Sequence, residues 1–300
     1  MFSYRKNKNT YRYNSVYKPG GGIIKIKILV DSSCDMPREY IRKWNIGVAP
    51  LFVQLGKNSF QDGVNLSTEE FYRWCRTHTE VPQTAQPSVG ICEKLIRESL
   101  EEHDHVICFT VSSSLSSTLQ AFRIASEEYK ESVTVFDTLS VSLGITLLVL
   151  HAVELIEKGS DIDEILLRLQ EARKHQKVIM SLQTLEYAVK GGRVTRWSPV
   201  DSDILSIKPI LHIDCNGYAK VLEKVRSERL AFRFLINTMK DTFGNTQPFR
   251  IGIAHGDSED QARKFMQIVR EELNPKEIIF SQIGPVIGSH IAPGALLVSF

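Results

Sequence analysis

The sequence predicts an α/β protein of two domains in series, the first with a parallel sheet flanked by helices and the second with a mixed sheet and helices. Runs of β-branched residues end in polar loops and lead into helical stretches, an order typical of parallel sheets covered by helices. An Asn216-Gly217 turn between two strand-like runs predicts a hairpin in the second half. With 300 residues and 42% hydrophobic content, the chain can bury a sizeable core.

The first strand–loop–helix unit has a strand over residues 23–30, a loop at Asp31-Ser32-Ser33 and a helix that starts at Asp35-Met36-Pro37. Ser67 and Glu70 form the pattern of a capping box, which predicts a helix through residue 74. Two further units and one loop complete this half: strands over 106–111 and 133–136, helices over 115–129 and 140–158, and a loop over 80–88.

Gly159 ends a helix and Ser160-Asp161 begins the next one, so the boundary between domains 23–159 and 160–300 is expected here. The second domain is predicted to contain helices over 161–174 and 258–273, with strands over 178–182, 207–213, 218–225, 250–254, 277–281 and 295–300.

Residues 1–22 contain five basic residues and no acidic ones, and they end in a proline followed by three glycines. This composition predicts a flexible basic arm and lacks the apolar centre of a signal peptide. A disordered tail is the simplest interpretation of the segment.

Composition excludes several classes of protein. The formal net charge of +2 is too balanced to attract nucleic acid, and the longest apolar runs are shorter than the ~20 residues of a membrane span. Five cysteines without a C-x-x-C pair favour reduced thiols and a cytoplasmic location.

The chain carries none of the common signatures of phosphate-binding loops, dinucleotide-binding folds, serine hydrolases or zinc proteases. His103-Asp104-His105 and His255-Gly256-Asp257 have no further candidate ligands nearby, so no metal site is predicted. What remains is a set of four hydroxyl-rich or glycine-rich loops at strand ends, over residues 83–88, 111–118, 190–194 and 284–294. Hydroxyls, an arginine and a histidine in such loops can together bind a small anion such as a carboxylate, although each loop alone is typical of caps and turns.

From Lys25 to Phe300 the chain resembles the DegV family, which includes the fatty-acid-binding subunits of bacterial fatty acid kinases. The opening K-I-x-x-D-S-x-x-D-x-P is present at residues 27–37, and Thr84-Ala85-Gln86-Pro87-Ser88 corresponds to T-S-Q-P-S. The remaining motifs are S-S-x-L-S-G-T at 112–118, L-x-x-L followed by K-G-G-R-I within 182–194, I-K-P-I-L at 207–211, K-V-R at 224–226 and G-x-H-T-G-P-G-A at 288–295.

The resemblance implies a non-enzymatic carrier without a cofactor. It would hold one long-chain fatty acid, of the palmitate, stearate or oleate class, in a buried tunnel between the domains. The implied partners are the catalytic subunit of a fatty acid kinase, which makes acyl phosphate for phospholipid synthesis, and an acyltransferase that uses that product.

The same resemblance implies roles for individual residues. Thr84 and Ser113 would hold the carboxylate with His290 close by, while Arg193 and Arg226 would orient the head group or dock the kinase. Supporting loop positions would be Ser112, Gly191, Gly192, Gly288 and Gly294. Departures from the family pattern occur at Ala85, Ser117, Ile291 and Ala292, and they bear on the hydrogen bonds around the site and on the width of the pocket.

Two alternatives remain open at this level. One is a hydrolase or acyl transferase with Ser113 as nucleophile and His290 as base, which would need a third residue to orient the histidine. The other is a lipid-sensing adaptor that binds a partner through the basic arm.

Overall fold

The computed structural model describes residues 15–17, 23–194 and 207–300. In the N-terminal half, β2 (Ile23–Asp31) pairs in parallel with β3 (Gly47–Ala49) and β7 (His105–Thr110), and β7 pairs in parallel with β8 (Val133–Asp137). The helices of this half are α1 (Arg38–Lys43), α2 (Thr68–Thr77), α3 (Val89–Leu100), α4 (Thr118–Ala125) and α5 (Leu143–Glu157). The predicted parallel sheet is confirmed.

A separate antiparallel sheet contains β4 (Phe52–Leu55), β5 (Asn58–Gln61) and β6 (Gln83–Ala85). The prediction that residues 80–88 form only a loop is therefore wrong for the three residues of β6. A strand this short is formed by its pairing with β4, and a long-range pairing leaves no periodic pattern in the local sequence.

The C-terminal half has a six-stranded sheet in the order β11-β10-β9-β14-β12-β13, in which β12 and β13 are parallel and the other pairs antiparallel. Its strands are β9 (Val178–Ser181), β10 (Lys208–Ile213), β11 (Ala219–Val225), β12 (Arg250–His255), β13 (Glu277–Gln282) and β14 (Leu296–Ser299). The helices are α6 (Ile162–His175), α7 (Glu186–Lys190), α8 (Glu228–Phe243), α9 (Glu259–Leu273) and α10 (Pro285–Ile291). The predicted hairpin and mixed sheet are confirmed.

The N-terminal arm differs in part from its prediction. Ser15–Tyr17 forms β1, which pairs antiparallel with the first residues of β2, so these three residues are not a free arm. Residues 1–14 and 18–22 lie outside the described part of the chain.

Helix α5 joins the two halves, because it packs against strands of both large sheets. Its buried residues lie on all sides of the helix, as expected for a helix inside a core. One hydrophobic cluster accordingly combines Ile28 and Phe109 of the first sheet, Leu143 and Val149 of α5, and Leu297 of the second sheet. Within the described ranges, no helix combines the length and the apolar character that crossing a bilayer requires.

Candidate functional site

A cavity lies between the two halves of the chain. Most of its wall is apolar and comes from both halves: Leu51, Val111, Leu115 and Val141 from the first, and Met180, Leu211, Ile213, Val286, Ile287 and Ile291 from the second. Polar side chains enter the wall at Thr84, Ser116, Arg193 and His290.

Thr84 and His290 meet at this cavity, although they are 206 residues apart in the chain. The Thr84 hydroxyl oxygen lies 2.9 Å from Nε2 of His290, within hydrogen-bonding distance. Pairing of β6 with β4 places Thr84 opposite Val53, and the last turn of α10 carries His290. The structure therefore brings together two of the three side chains that the sequence assigned to the carboxylate.

His290 is neutral in this environment. Burial, with a smaller contribution from the positive charge of Arg193, lowers the pKa of His290 to about 3. Its Nδ1 atom is buried and has no hydrogen-bond partner within residues 15–17, 23–194 and 207–300. A Cβ atom on Gly191 would lie 2.6 Å from this nitrogen, so the glycine allows the ring to approach the end of α7.

The guanidinium of Arg193 is held by backbone carbonyls. Nη1 donates to the Gly191 carbonyl at 2.6 Å and Nε donates to the Leu115 carbonyl at 3.2 Å. Burial lowers the pKa of this arginine. The side chain thus lines the cavity while it connects the glycine turn to the serine-rich loop of the other half.

The serine-rich loop places a residue in the cavity that the sequence did not single out. Ser116 lines the cavity, and its hydroxyl lies 2.9 Å from that of Thr118. Ser113 is exposed, does not line the cavity, and donates its backbone N–H to Asp137. Ser112 is buried and donates its hydroxyl to the Gly217 carbonyl at 2.8 Å. The loop turns between these positions, so their orientation could not be deduced from their spacing.

The remaining predicted positions have separate environments. Gly192 and Gly294 have positive φ angles of 71° and 86°, which favour glycine. Gly288 lies against Phe71, since a Cβ there would be 2.6 Å from that ring. Arg226 is exposed between β11 and α8 and does not line the cavity.

Comparison with known proteins agrees with this architecture. A family model described as an uncharacterised protein of the DegV family matches residues 25–300. The chain belongs to the DegV family. It is 33% identical to a DegV domain-containing protein of Caldanaerobacter subterraneus, over 92% of this chain and 98% of the relative. It is also 33% identical to a protein of Thermotoga maritima named fatty acid-binding protein, over 91% of this chain and 96% of the relative.

Solved DegV structures have the same fold. A DegV lipid binding protein of Thermotoga maritima superimposes with a TM-score of 0.84 at 33% identity, over 92% of this chain and 98% of that one. A DegV family protein of Thermus thermophilus, described for its fatty acid binding, has a TM-score of 0.84 at 28% identity, over 92% and 99%. A fatty acid binding DegV protein of Bacillus subtilis has a TM-score of 0.83 at 27% identity, over 92% and 98%.

The structure of this DegV chain also bears on a hydrolase site and on a metal site. Ser113 and His290 do not form a nucleophile–base pair, because Ser113 is exposed and the histidine contacts Thr84. Among the described residues, no aspartate or glutamate lines the cavity to orient the ring. In the described part of the chain, no group of three or more His, Cys, Asp or Glu side chains could hold a metal ion. His103 and His105 instead contact the Ser99 carbonyl and the Thr134 hydroxyl.

Proposed function

We propose that this chain binds one long-chain fatty acid in the cavity and presents its carboxylate to the catalytic subunit of a fatty acid kinase for acyl phosphate formation. The observation that carries the proposal is the Thr84–His290 pair in an otherwise apolar cavity. DegV relatives named for fatty acid binding support the same ligand class.

The protonation of His290 suits a carboxylate held by Thr84. A neutral imidazole has one N–H donor and one acceptor. With the proton on Nε2, the ring donates to the Thr84 oxygen, and the hydroxyl proton of Thr84 is free to point into the cavity. The unpartnered Nδ1 is then an acceptor rather than a buried donor. Thr84 and Ser116 can thus donate hydrogen bonds to the carboxylate.

The apolar wall of the cavity can bury the hydrocarbon tail of the fatty acid. Burial of ~16 methylenes at about 0.8 kcal/mol each gives a gross gain of roughly 13 kcal/mol before ordering costs. A molecule of this kind partitions out of water, so a protein that carries it must enclose the tail.

The identity of the bound ligand can be tested on the purified protein. We expect mass spectrometry of organic extracts to find about one fatty acid per chain. Absence of lipid, together with no uptake of added palmitate or oleate, would contradict the proposal.

The head-group site is tested by removing single hydroxyls. Thr84→Ala and Ser116→Ala should each weaken palmitate binding by more than tenfold, because a hydrogen bond to a charged acceptor contributes about 1.5 to 3 kcal/mol. Ser113→Ala is the matched control on the same loop and should bind as the original chain does, since Ser113 is exposed. A loss in Ser113→Ala without a loss in Ser116→Ala would return the carboxylate to Ser113.

Presentation to a kinase is tested at Arg226, which is exposed and outside the cavity. Arg226→Ala should leave palmitate uptake unchanged and reduce kinase-dependent acyl phosphate formation, because an exposed arginine outside the cavity is accessible to a partner or its phosphoryl donor. Arg229→Ala, another exposed arginine on α8, is the control. Arg193→Ala should affect uptake as well, since Arg193 lines the cavity. Full kinase activity in Arg226→Ala would remove the presentation role of Arg226.

A lipid-sensing adaptor is the second candidate. Its proposed contact is the basic arm over residues 1–22, whose described part is β1. Deletion of residues 1–14 should leave lipid uptake and kinase-dependent phosphorylation intact under the carrier proposal. A partner lost only through that deletion would favour the adaptor.

A further inference from the structure

The segment before α10 belongs to the C-terminal half but is held by side chains and backbone of the N-terminal half. The backbone N–H of Gly284 donates to Oδ1 of Asp35 at 2.8 Å. The Ser281 hydroxyl donates to the Asp35 carbonyl at 2.6 Å. The Tyr72 hydroxyl donates to the Ile283 carbonyl at 3.0 Å. Asp35 therefore accepts two of the hydrogen bonds that fix the start of this helix.

Asp35 is itself held in one orientation. Its second carboxylate oxygen accepts a hydrogen bond from the Ser142 hydroxyl at 2.5 Å, and Ser142 begins α5. The residue is 8% exposed and its φ angle is 50°, in the left-handed region. Aspartate and asparagine adopt this region more readily than most residues. The carboxylate thus connects Ser142 of the N-terminal half to Gly284 of the C-terminal half.

Helix α10 connects the Asp35–Gly284 contact to the cavity. It follows directly from Gly284 and carries His290 near its other end, where Nε2 lies 2.9 Å from the Thr84 hydroxyl. A hydrogen-bonded helix of two turns moves as a unit, so displacement at Gly284 would displace the imidazole.

We propose that Asp35 is a positioning residue for the head-group site: its carboxylate holds the start of α10 and thereby keeps His290 against Thr84. The inference rests on the proposed function for its effect on ligand binding, whereas its effect on His290 itself is independent of any ligand.

The test compares Asp35→Ala with Asp35→Asn. Asparagine can accept from the Gly284 N–H, donate to the Ser142 hydroxyl and adopt the left-handed conformation, whereas alanine loses both side-chain bonds. The readouts are affinity for palmitate, affinity for hexadecanol, which lacks the carboxylate, the ¹⁵N resonances of the His290 ring, and the melting temperature. Ile236→Ala serves as a stability control, because Ile236 is buried in the cluster around α8 and does not line the cavity.

Asp35→Ala should weaken palmitate binding about tenfold, leave hexadecanol binding near normal and shift the His290 resonances in the ligand-free protein. Asp35→Asn should have the palmitate affinity, the hexadecanol affinity and the His290 resonances of the original chain. Ile236→Ala should lower the melting temperature and change none of these. Equal weakening of both ligands, or unchanged His290 resonances in Asp35→Ala, would overturn the positioning role.

Two further outcomes remain decisive. If Asp35→Ala does not fold, Ser142→Ala, which removes one bond that orients Asp35, should cause smaller changes in the same direction, and unchanged His290 resonances there overturn the inference. If the unmodified chain binds neither ligand, the proposed function fails, while the His290 resonances of Asp35→Ala still decide the role of Asp35.

Discussion

Ala292 has a backbone conformation that residues with a Cβ atom rarely adopt. Its φ and ψ angles are 61° and 164°, in a region populated almost entirely by glycine. The residue is 3% exposed, and its N–H closes the last turn of α10 on the Gly288 carbonyl. The sequence shows alanine at the position where the family motif has glycine. The chain therefore carries local strain beside the helix that presents His290.

Ala292→Gly should stabilise the protein. Relief of strain of about 1 to 3 kcal/mol outweighs the greater flexibility of glycine in the unfolded chain, which costs up to about 1 kcal/mol. We expect the free energy of unfolding in urea to rise by about 1 kcal/mol. Ala295→Gly is the control, because Ala295 is buried without a positive φ and its replacement should destabilise. A loss of stability in Ala292→Gly would contradict the assignment of strain.

At the scale of elements, the site depends on the close approach of α7 to α10. Gly191 ends α7, and its missing side chain leaves space for the His290 ring. A Cβ there would also lie 3.0 Å from the Tyr187 carbonyl, which is backbone and cannot move cheaply. The glycine pair in the K-G-G-R motif thus serves two purposes, since Gly191 provides space and Gly192 provides a positive φ.

Gly191→Ala should push the imidazole away from Thr84 and weaken palmitate binding while hexadecanol binding changes little. Gly192→Ala is the matched control, because its Cβ would meet no atom of the described part of the chain within 4 Å and only its φ of 71° is unfavourable. We expect that variant to melt at a lower temperature with palmitate affinity retained. Binding titrations and melting curves on both variants make the comparison. Normal palmitate affinity in Gly191→Ala would show that the ring tolerates the extra atom.

Helix α10 shows why some elements could not be predicted. Pro285 at its first position and Pro293 after its end agree with helix boundaries, but Gly284, Gly288 and Gly294 make the stretch resemble a loop. The helix forms because Gly288 can pack against Phe71 and because Asp35 satisfies the Gly284 N–H. Both stabilising contacts come from residues more than 200 positions away. Longer elements such as α5 and β2 were predicted because their patterns are local.

At the scale of the molecule, buried carboxylates couple stability to pH. Burial raises the pKa of Asp35 to about 8, with further contributions from the charges of Asp62 and Asp31. Burial likewise raises the pKa of Asp62 to about 7. Between the ordinary value of 3.8 and these values the folded chain binds more protons than the unfolded chain, so stability falls as pH rises through 7 and 8. Histidines with lowered pKa values, such as His290, act in the opposite direction only below about pH 6.5.

The melting temperature should therefore decrease between pH 6.5 and pH 8. Asp62→Asn should flatten this dependence, since it removes a group whose titration contributes about 1 kcal/mol over the interval. Asp241→Asn, at an exposed position of α8, should leave the slope unchanged. A slope that is flat in the original chain, or that Asp62→Asn does not alter, would contradict the raised pKa values.

The sequence by itself determined the α/β class, the mixed character of the second sheet and the family. These features depend on local patterns of apolar residues and turns, or on motifs of contiguous residues. It also identified Thr84 and His290 as candidates, because the resemblance assigns a role to each motif separately.

Tertiary structure alone decided which side chains share the cavity. It placed Ser116 rather than Ser113 in the wall, set Thr84 against His290, and connected Asp35 to Gly284 across 249 positions. The direction of a side chain in a loop depends on backbone angles that neighbouring segments impose, and no periodicity in the sequence records them. The partners that impose them come from the other half of the chain, so they become neighbours only when both halves pack on α5.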